Sequence, residues 1–228
     1  MARRWSGRSW WSRAYLWATH QLYSEFAWAY DLVSWAASLG WWSRWRREAL
    51  EHIIGSRVLE IGFGTGELLV EMATRGLQVW GLEPSRAMHR VTSRKLGKRH
   101  LWVPRVRAGA QALPFADGSF DSIVATFPAE YILDPATFRE SARILRAADP
   151  STGEAGRFII GGLFFRIGRA RGHPVADLAV VGAACSPIAR VQALCSPWFQ
   201  IELVHLASRC RWWEVATPLL VLERRCDI

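Results

Sequence analysis

The sequence predicts an α/β protein with a parallel, doubly wound sheet, and three observations predict it. Between residues 56 and 165 short apolar runs alternate with amphipathic stretches, the rhythm of strands joined by crossover helices. Three glycines, Gly62, Gly64 and Gly66, crowd the turn after the first apolar run. A carboxylate, Glu83, closes the second run. Open sheets of this kind bind ligands beyond the carboxyl ends of their strands. Gly62, Glu83, Ala110 and Thr126 all fall at or just past such ends.

Taken in order, Arg57–Ile61 reads as the first strand. Glu67–Arg75 reads as a helix stopped by Gly76, which suits the left-handed position after a helix end. Leu77–Leu82 is the second strand, Arg86–Leu96 a basic helix and Trp102–Arg107 the third strand. Phe120–Thr126 is the fourth strand, Pro135–Arg146 a helix and Arg157–Phe165 the fifth strand. Residues 166–228 read as a helix followed by two strand-like runs, Ile201–Ala207 and Glu214–Leu222. The turn-rich stretch Ala147–Gly156 reads as the softest joint of the chain.

Glycine in regular structure costs about 0.5–1 kcal/mol relative to alanine, so three in five residues imply that the backbone must stay bare. A strand, a glycine turn and a helix N-terminus together hold the polar part of a ligand. Glu83 can accept both hydroxyls of a ribose. The spacing departs from the dinucleotide fingerprint Gly-x-Gly-x-x-Gly, because Glu67 stands where the third glycine belongs. A carboxylate there would repel a pyrophosphate and suits a ligand with a ribose and an ammonium group. Glu60, two residues before Gly62, adds a second acid. The alternative is an ordinary tight βα turn.

The stretch VLEIGFGTGELL followed by GLEPSRAM resembles the first two motifs of class I S-adenosylmethionine-dependent methyltransferases, and Gln111–Phe127 (QALPFADGSFDSIVATF) resembles their region around strand four. The resemblance spans residues 57–165. It implies a Rossmann-like, seven-stranded, mostly parallel sheet with helices on both faces, and S-adenosyl-L-methionine as cofactor. On this resemblance Gly62, Phe63 and Gly64 wrap the methionine part and Glu83 holds the ribose. Pro84 packs near the adenine, Ala110 and Gln111 border its ring, Glu60 adds its charge, and Thr126 lies under the methionine end. Upstream, Tyr23–Arg47 is similar to the opening of the ubiquinone/menaquinone C-methyltransferase family. This implies an N-terminal helical cap over residues 1–50, with Tyr30 near the cleft, and a methyltransferase domain over 51–228. Three departures from that family lie on the substrate side and around the adenine. Gly109 replaces an aspartate, Phe127-Pro128-Ala129-Glu130-Tyr131 stands where Phe-Gly-x-Arg-Asn is usual, and Ile160-Gly161-Gly162 lacks an acid.

Composition bounds the partners. Lys and Arg total 29 against 20 Asp and Glu, a formal charge of +9, which favours an anionic partner or surface. Trp5, Trp10, Trp11, Trp17, Trp28, Trp35, Trp41, Trp42 and Trp45 crowd the first 50 residues among arginines. That pairing suits an anionic membrane surface as well as a lid packed on the sheet. Arg86–Arg107 carries eight cations and no acid, yet only Trp102 interleaves, so nucleic acid is not expected as a partner. Phe26–Trp42 contains Asp31 and is too short to span a bilayer, and Met1–Arg13 lacks the apolar core of a signal peptide. The four cysteines have no metal spacing, so reduced thiols and a cytoplasmic location are expected, with the membrane's inner face as a peripheral site. Candidate bases are His20, Tyr23, Glu130 and Tyr131, with none assigned; His173 and His205 read as structural or exposed. The expected activity is methyl transfer to a small, hydrophobic, quinone-like or lipid-like acceptor. The alternatives are a phospholipid or RNA methyltransferase, or a non-catalytic membrane-associated protein that binds the cofactor.

Overall fold

The computed structural model describes residues 41–162, 164–169, 176–179, 187–209 and 213–225. Helix α1 (Trp41–Leu50) leads into β1 (Arg57–Ile61), α2 (Glu67–Thr74), β2 (Gln78–Leu82), α3 (Arg86–Lys98) and β3 (Arg105–Val106). There follow β4 (Ser122–Thr126), a short 3-10 turn (Glu130–Leu133), α4 (Pro135–Ile144) and β5 (Arg157–Gly161). The chain ends with β6 (Phe164–Arg169), β7 (Ala176–Ala179), α5 (Pro187–Cys195), β8 (Phe199–Arg209) and β9 (Trp213–Arg224).

Strands β3, β2, β1, β4 and β5 are neighbours in that order and all parallel. Strand β9 then runs antiparallel beside β5, and β8 covers its far side. These seven strands are the predicted Rossmann-like sheet, and the last two form the expected antiparallel pair.

The hairpin β6–β7 is an addition, and it precedes the helix and two strands expected over residues 166–228, which are α5, β8 and β9. Strand β9 pairs its second half, Leu219 to Glu223, with β5 and its first half, Trp213 to Ala216, with β6. Strand β6 therefore continues the line of β5 beyond a break at Gly162, whose φ is 75°. Glycines and arginines interrupt the apolar alternation of this stretch, which hides the strand from a periodicity reading. Strand three is also shorter than expected, two residues paired with β2. The loop 147–156, expected as a soft joint, is held by its own hydrogen bonds. Asp149 accepts from Ser151, Gly153 N–H donates to the Asp149 carbonyl, and Arg146 grips Glu154, so the loop is a fastened link between α4 and β5.

Both faces of the sheet are apolar, as a doubly covered parallel sheet requires. Leu59, Ile61, Ile123, Ala125, Phe158, Ile160, Leu220 and Leu222 point to one layer with Phe138, Ile144, Val191 and Phe199. Val58, Val124, Ile159, Leu219 and Val221 point to the other, with Ala49, Leu50, Leu68, Leu69 and Leu96. The strict alternation follows from the two-residue period of a strand. Burying an aliphatic or phenylalanine side chain contributes about 1.5–3 kcal/mol, so these two layers carry the fold. Helix α1 closes the second layer through Ala49 and Leu50, both buried.

At the opposite edge from the glycine turn, Asp121 ties the start of β1 to β4. Its carboxylate accepts from the backbone N–H groups of Ser56 and Arg57 and from the Arg57 guanidinium at 2.8 Å. Burial opposes ionisation of Asp121, and these donors outweigh it, so its pKa lies below the ordinary value. A depressed pKa contributes stability that is complete above the unfolded value, about pH 4, and is lost as pH falls through the folded one. The variant Asp121→Asn is accordingly expected to lose about 1–2 kcal/mol at pH 7. Urea unfolding at a series of pH values should show the gap between variant and wild type narrowing below about pH 4; a gap that widens there would contradict this role.

Candidate functional site

The parallel register brings the carboxyl ends of β1, β2 and β4 together. Ile61 lies opposite Leu82, and Gly62 N–H donates to the Leu82 carbonyl at 2.7 Å. Beyond that bond the chain turns through Gly62, Gly64 and Gly66, with φ of 73°, 51° and 76°. Left-handed backbone at three alternate positions is what only glycine adopts without strain. Gly66 then enters α2 as its N-cap.

Gly64 stands apart from its neighbours. A side chain at Gly62 would meet the Tyr131 hydroxyl and one at Gly66 would meet Thr92, whereas a side chain at Gly64 would meet nothing within 4 Å. Its α-carbon faces open space at the mouth of the turn.

Three side chains fasten the turn. Glu83, at the end of β2, accepts from Gly64 N–H through Oε2 at 3.2 Å and from Ser85 N–H through Oε1 at 2.9 Å. Thr92 of α3 donates to the Gly64 carbonyl at 3.2 Å. Tyr131 donates to the Ile61 carbonyl at 3.1 Å, from the 3-10 turn after β4. His89 of α3 donates through Nε2 to the Glu83 carbonyl at 2.9 Å, and its ring meets Phe63 edge-on at 4.9 Å.

Two buried acids share this corner. Glu60 is 3 % exposed and Glu83 4 %. Glu60 Oε2 is buried with no hydrogen-bond partner. Burial pushes the Glu60 pKa up to about 8; the charge of Arg46 pulls it down and that of Glu83 pushes it up. Burial also raises the Glu83 pKa, against the two backbone donors that lower it. Burial and the nearby acids raise the Tyr131 phenol above its usual value. The corner is thus short of positive charge, and an orphaned carboxylate oxygen calls for a cation or donor. The donor set fits a ligand carrying hydroxyls and an ammonium group.

The other expected residues fall around this corner unequally. Phe63 lines it with backbone alone, since its ring is buried in the core against Gly81 and His89. Pro84 is exposed on the rim, its carbonyl accepting from Arg107. Ala110 is buried beside Leu113, and Gln111 is exposed in the following turn. Thr126 ends β4 opposite Gly161. Next to it Phe127 holds a φ of 53° and donates its N–H to the Gly161 carbonyl at 2.7 Å. Of the candidate bases, Tyr131 is committed to the Ile61 carbonyl and Glu130 is exposed. Tyr30, His20 and Tyr23 lie outside the described residues.

Sequence reading missed Ser85, His89, Thr92 and Arg46 as members of this corner. The available signal was the inner face of α3, where His89 and Thr92 share the spacing of buried Met88 and Leu96. Polar groups on a face meant for the core are there to bond something.

Comparison with known proteins agrees with this geometry. Residues 58–148 match the family described as "Methyltransferase domain". The demethylmenaquinone methyltransferase of Thermus thermophilus is 36% identical over 111 residues, covering 46% of this chain and 50% of that protein. The ubiquinone/menaquinone biosynthesis C-methyltransferase of Geotalea uraniireducens is 31% identical over 137 residues, covering 56% and 58%. The chain thus spans only about half the length of the curated relatives it matches. Among solved structures, the cyclase SpnF superposes with a TM-score of 0.59 at 17% identity, covering 79% of this chain and 80% of that one. Geranyl diphosphate C-methyltransferase of Streptomyces coelicolor superposes with a TM-score of 0.57 at 14% identity, covering 80% and 79%. At such identities the likeness concerns the fold. The matched segment holds β1, β2, β4 and the whole fastened turn, so residues 58–148 match a methyltransferase domain, and along them the chain resembles the class I S-adenosylmethionine-dependent methyltransferases.

Proposed function

We propose that the protein transfers a methyl group from S-adenosyl-L-methionine to a small, hydrophobic, quinone-like or lipid-like acceptor. The observation that carries the reading is the open face of Gly64 at a corner that holds two buried acids, one of which has an orphaned oxygen. Glu83 takes the ribose hydroxyls with the lone pairs its two backbone donors leave. Glu60 faces the ammonium group, and the backbone of Gly62, Phe63 and Gly64 wraps the methionine chain. Pro84, Ala110 and Gln111 border the adenine, and Thr126 closes the methionine end. When bound, the cofactor supplies an electrophilic methyl on a sulfonium, so transfer depends chiefly on alignment. Residues 1–50 act as the cap, with Tyr30 turned inward. The acceptor class draws support from the relatives named for quinone precursors.

A second reading, a cofactor-binding protein with no transfer activity, is favoured by Glu130-Tyr131 standing where the quinone enzymes keep Arg-Asn. Incubation with radiolabelled S-adenosylmethionine and a panel of quinones and lipids separates the two readings. Label must appear in an acceptor for the enzyme reading to stand.

Binding should fail where the turn is filled. Gly64→Val and Gly76→Val both place a branched residue at positive φ in open space, each at about 1–2 kcal/mol of strain. Calorimetry with S-adenosylhomocysteine is expected to lose binding in the first variant and keep it in the second. Glu83→Ala should weaken binding by about 1.5–3 kcal/mol, the worth of charge-assisted hydrogen bonds. Equal affinity in Gly64→Val and Gly76→Val would remove the turn from the site.

Glu60 makes a pH prediction. An ammonium group beside it favours the ionised carboxylate, so binding releases a proton below about pH 8. Affinity for S-adenosylhomocysteine should rise between pH 6 and 8, by up to about fiftyfold from linkage. The binding enthalpy should depend on the buffer's own ionisation heat. Glu60→Gln should abolish both effects; a pH slope that survives the substitution assigns the proton to another group.

The cap makes the last. Deleting residues 1–22 should leave binding intact, whereas deleting 1–40 should weaken it while α1 keeps Ala49 and Leu50 in the core. Wild-type affinity in the longer deletion would remove Tyr30 from the site.

A further inference from the structure

We propose that the outer face of α3, continued by Trp102, is a docking surface for an anionic phospholipid bilayer. Arg86, Arg90, Arg94 and Lys98 recur every four residues along α3 and are all exposed. The opposite face is buried through Met88, Thr92 and Leu96. The row is therefore a single cationic stripe about 18 Å long, at 1.5 Å per residue. Arg99 and His100 extend it, and Trp102 follows with 85% of its surface exposed. No carboxylate among the described residues pairs with any of the four stripe cations; the nearby Lys95 instead meets Glu67.

This arrangement works against the helix that carries it. Like charges four residues apart repel, and cations in the first turn oppose the helix dipole. No acid offsets them there. An anionic surface removes both penalties, and that is the charge complementarity the face presents. A bilayer fits better than single-stranded nucleic acid. Nucleic acid needs aromatic platforms between the charges, whereas a membrane needs a flat basic row with an indole at its edge, at headgroup depth. The stripe begins three residues after Glu83, so a docked α3 sets the rim of the candidate cleft beside the lipid.

The test uses the full chain and vesicles of phosphatidylglycerol and phosphatidylcholine in equal parts, with co-sedimentation at low and high salt. The triple variant R90Q/R94Q/K98Q is expected to partition about a hundredfold more weakly at low salt. Its thermal midpoint should be at or above wild type, since repulsion is relieved. R90K/R94K should partition like wild type, because a bilayer reads charge. W102S should bind several-fold more weakly at both salt concentrations, because apolar insertion is not screened. Wild-type partitioning by the triple variant overturns the proposal and moves any membrane contact to residues 1–40. Loss of partitioning in R90K/R94K also overturns it. Binding to oligouridine that the triple variant loses, with no vesicle partitioning in wild type, overturns it in favour of RNA.

Discussion

The carboxylate of Glu83 governs the ligand end of the molecule. Its two oxygens accept the N–H groups of Gly64 and Ser85, so one side chain holds the turn after β1 to the turn after β2. The three left-handed glycines are entropically costly, and that cost is tolerable because Glu83 accepts a bond from the turn while Thr92 and Tyr131 donate to the carbonyls of Gly64 and Ile61. Remove the fastening and the open face of Gly64 has no reason to persist. The rest of the sheet serves to bring these ends into register.

Charge at this corner is arranged in opposition to the rest of the chain. The protein carries a formal +9, yet its candidate cleft is built around Glu60 and Glu83, both buried. Arg46, from α1, is a cation whose charge acts on Glu60. Basic residues lie outside, on α3, and acids inside. Two buried acids suit a ligand with a positive end better than a phosphate-bearing nucleotide.

Much of this was legible in the chain because it rests on local rules. Three glycines in five residues declare a left-handed turn, and an acid at a strand end declares a donor-seeking corner; neither depends on distant contacts. The near-continuous apolar runs around Val58 to Ile61 and Phe158 to Ile160 identify doubly buried strands. What stayed hidden depends on partners far away in sequence. Phe63 reads as a ligand-wrapping residue, but Gly81 leaves room for its ring in the core. Thr92 and His89 sit in a helix whose basic outer face dominates its composition. Strand β6 has no clear alternation of its own and exists because β9 offers it an edge.

Strand β9 has a consequence for the life of the chain before it is complete. It is the last described strand in chain order, yet it fills the place between β5 and β8. A ribosome adding about 5–20 residues per second releases β5 some 3–10 seconds before it begins β9. Throughout that interval the nascent sheet offers β5 as an open edge flanked by apolar side chains, the kind of surface on which unfinished chains adhere to one another. The finished fold removes that surface by setting β5 between β4 and β9, so the hazard of adhesion belongs to the incomplete chain.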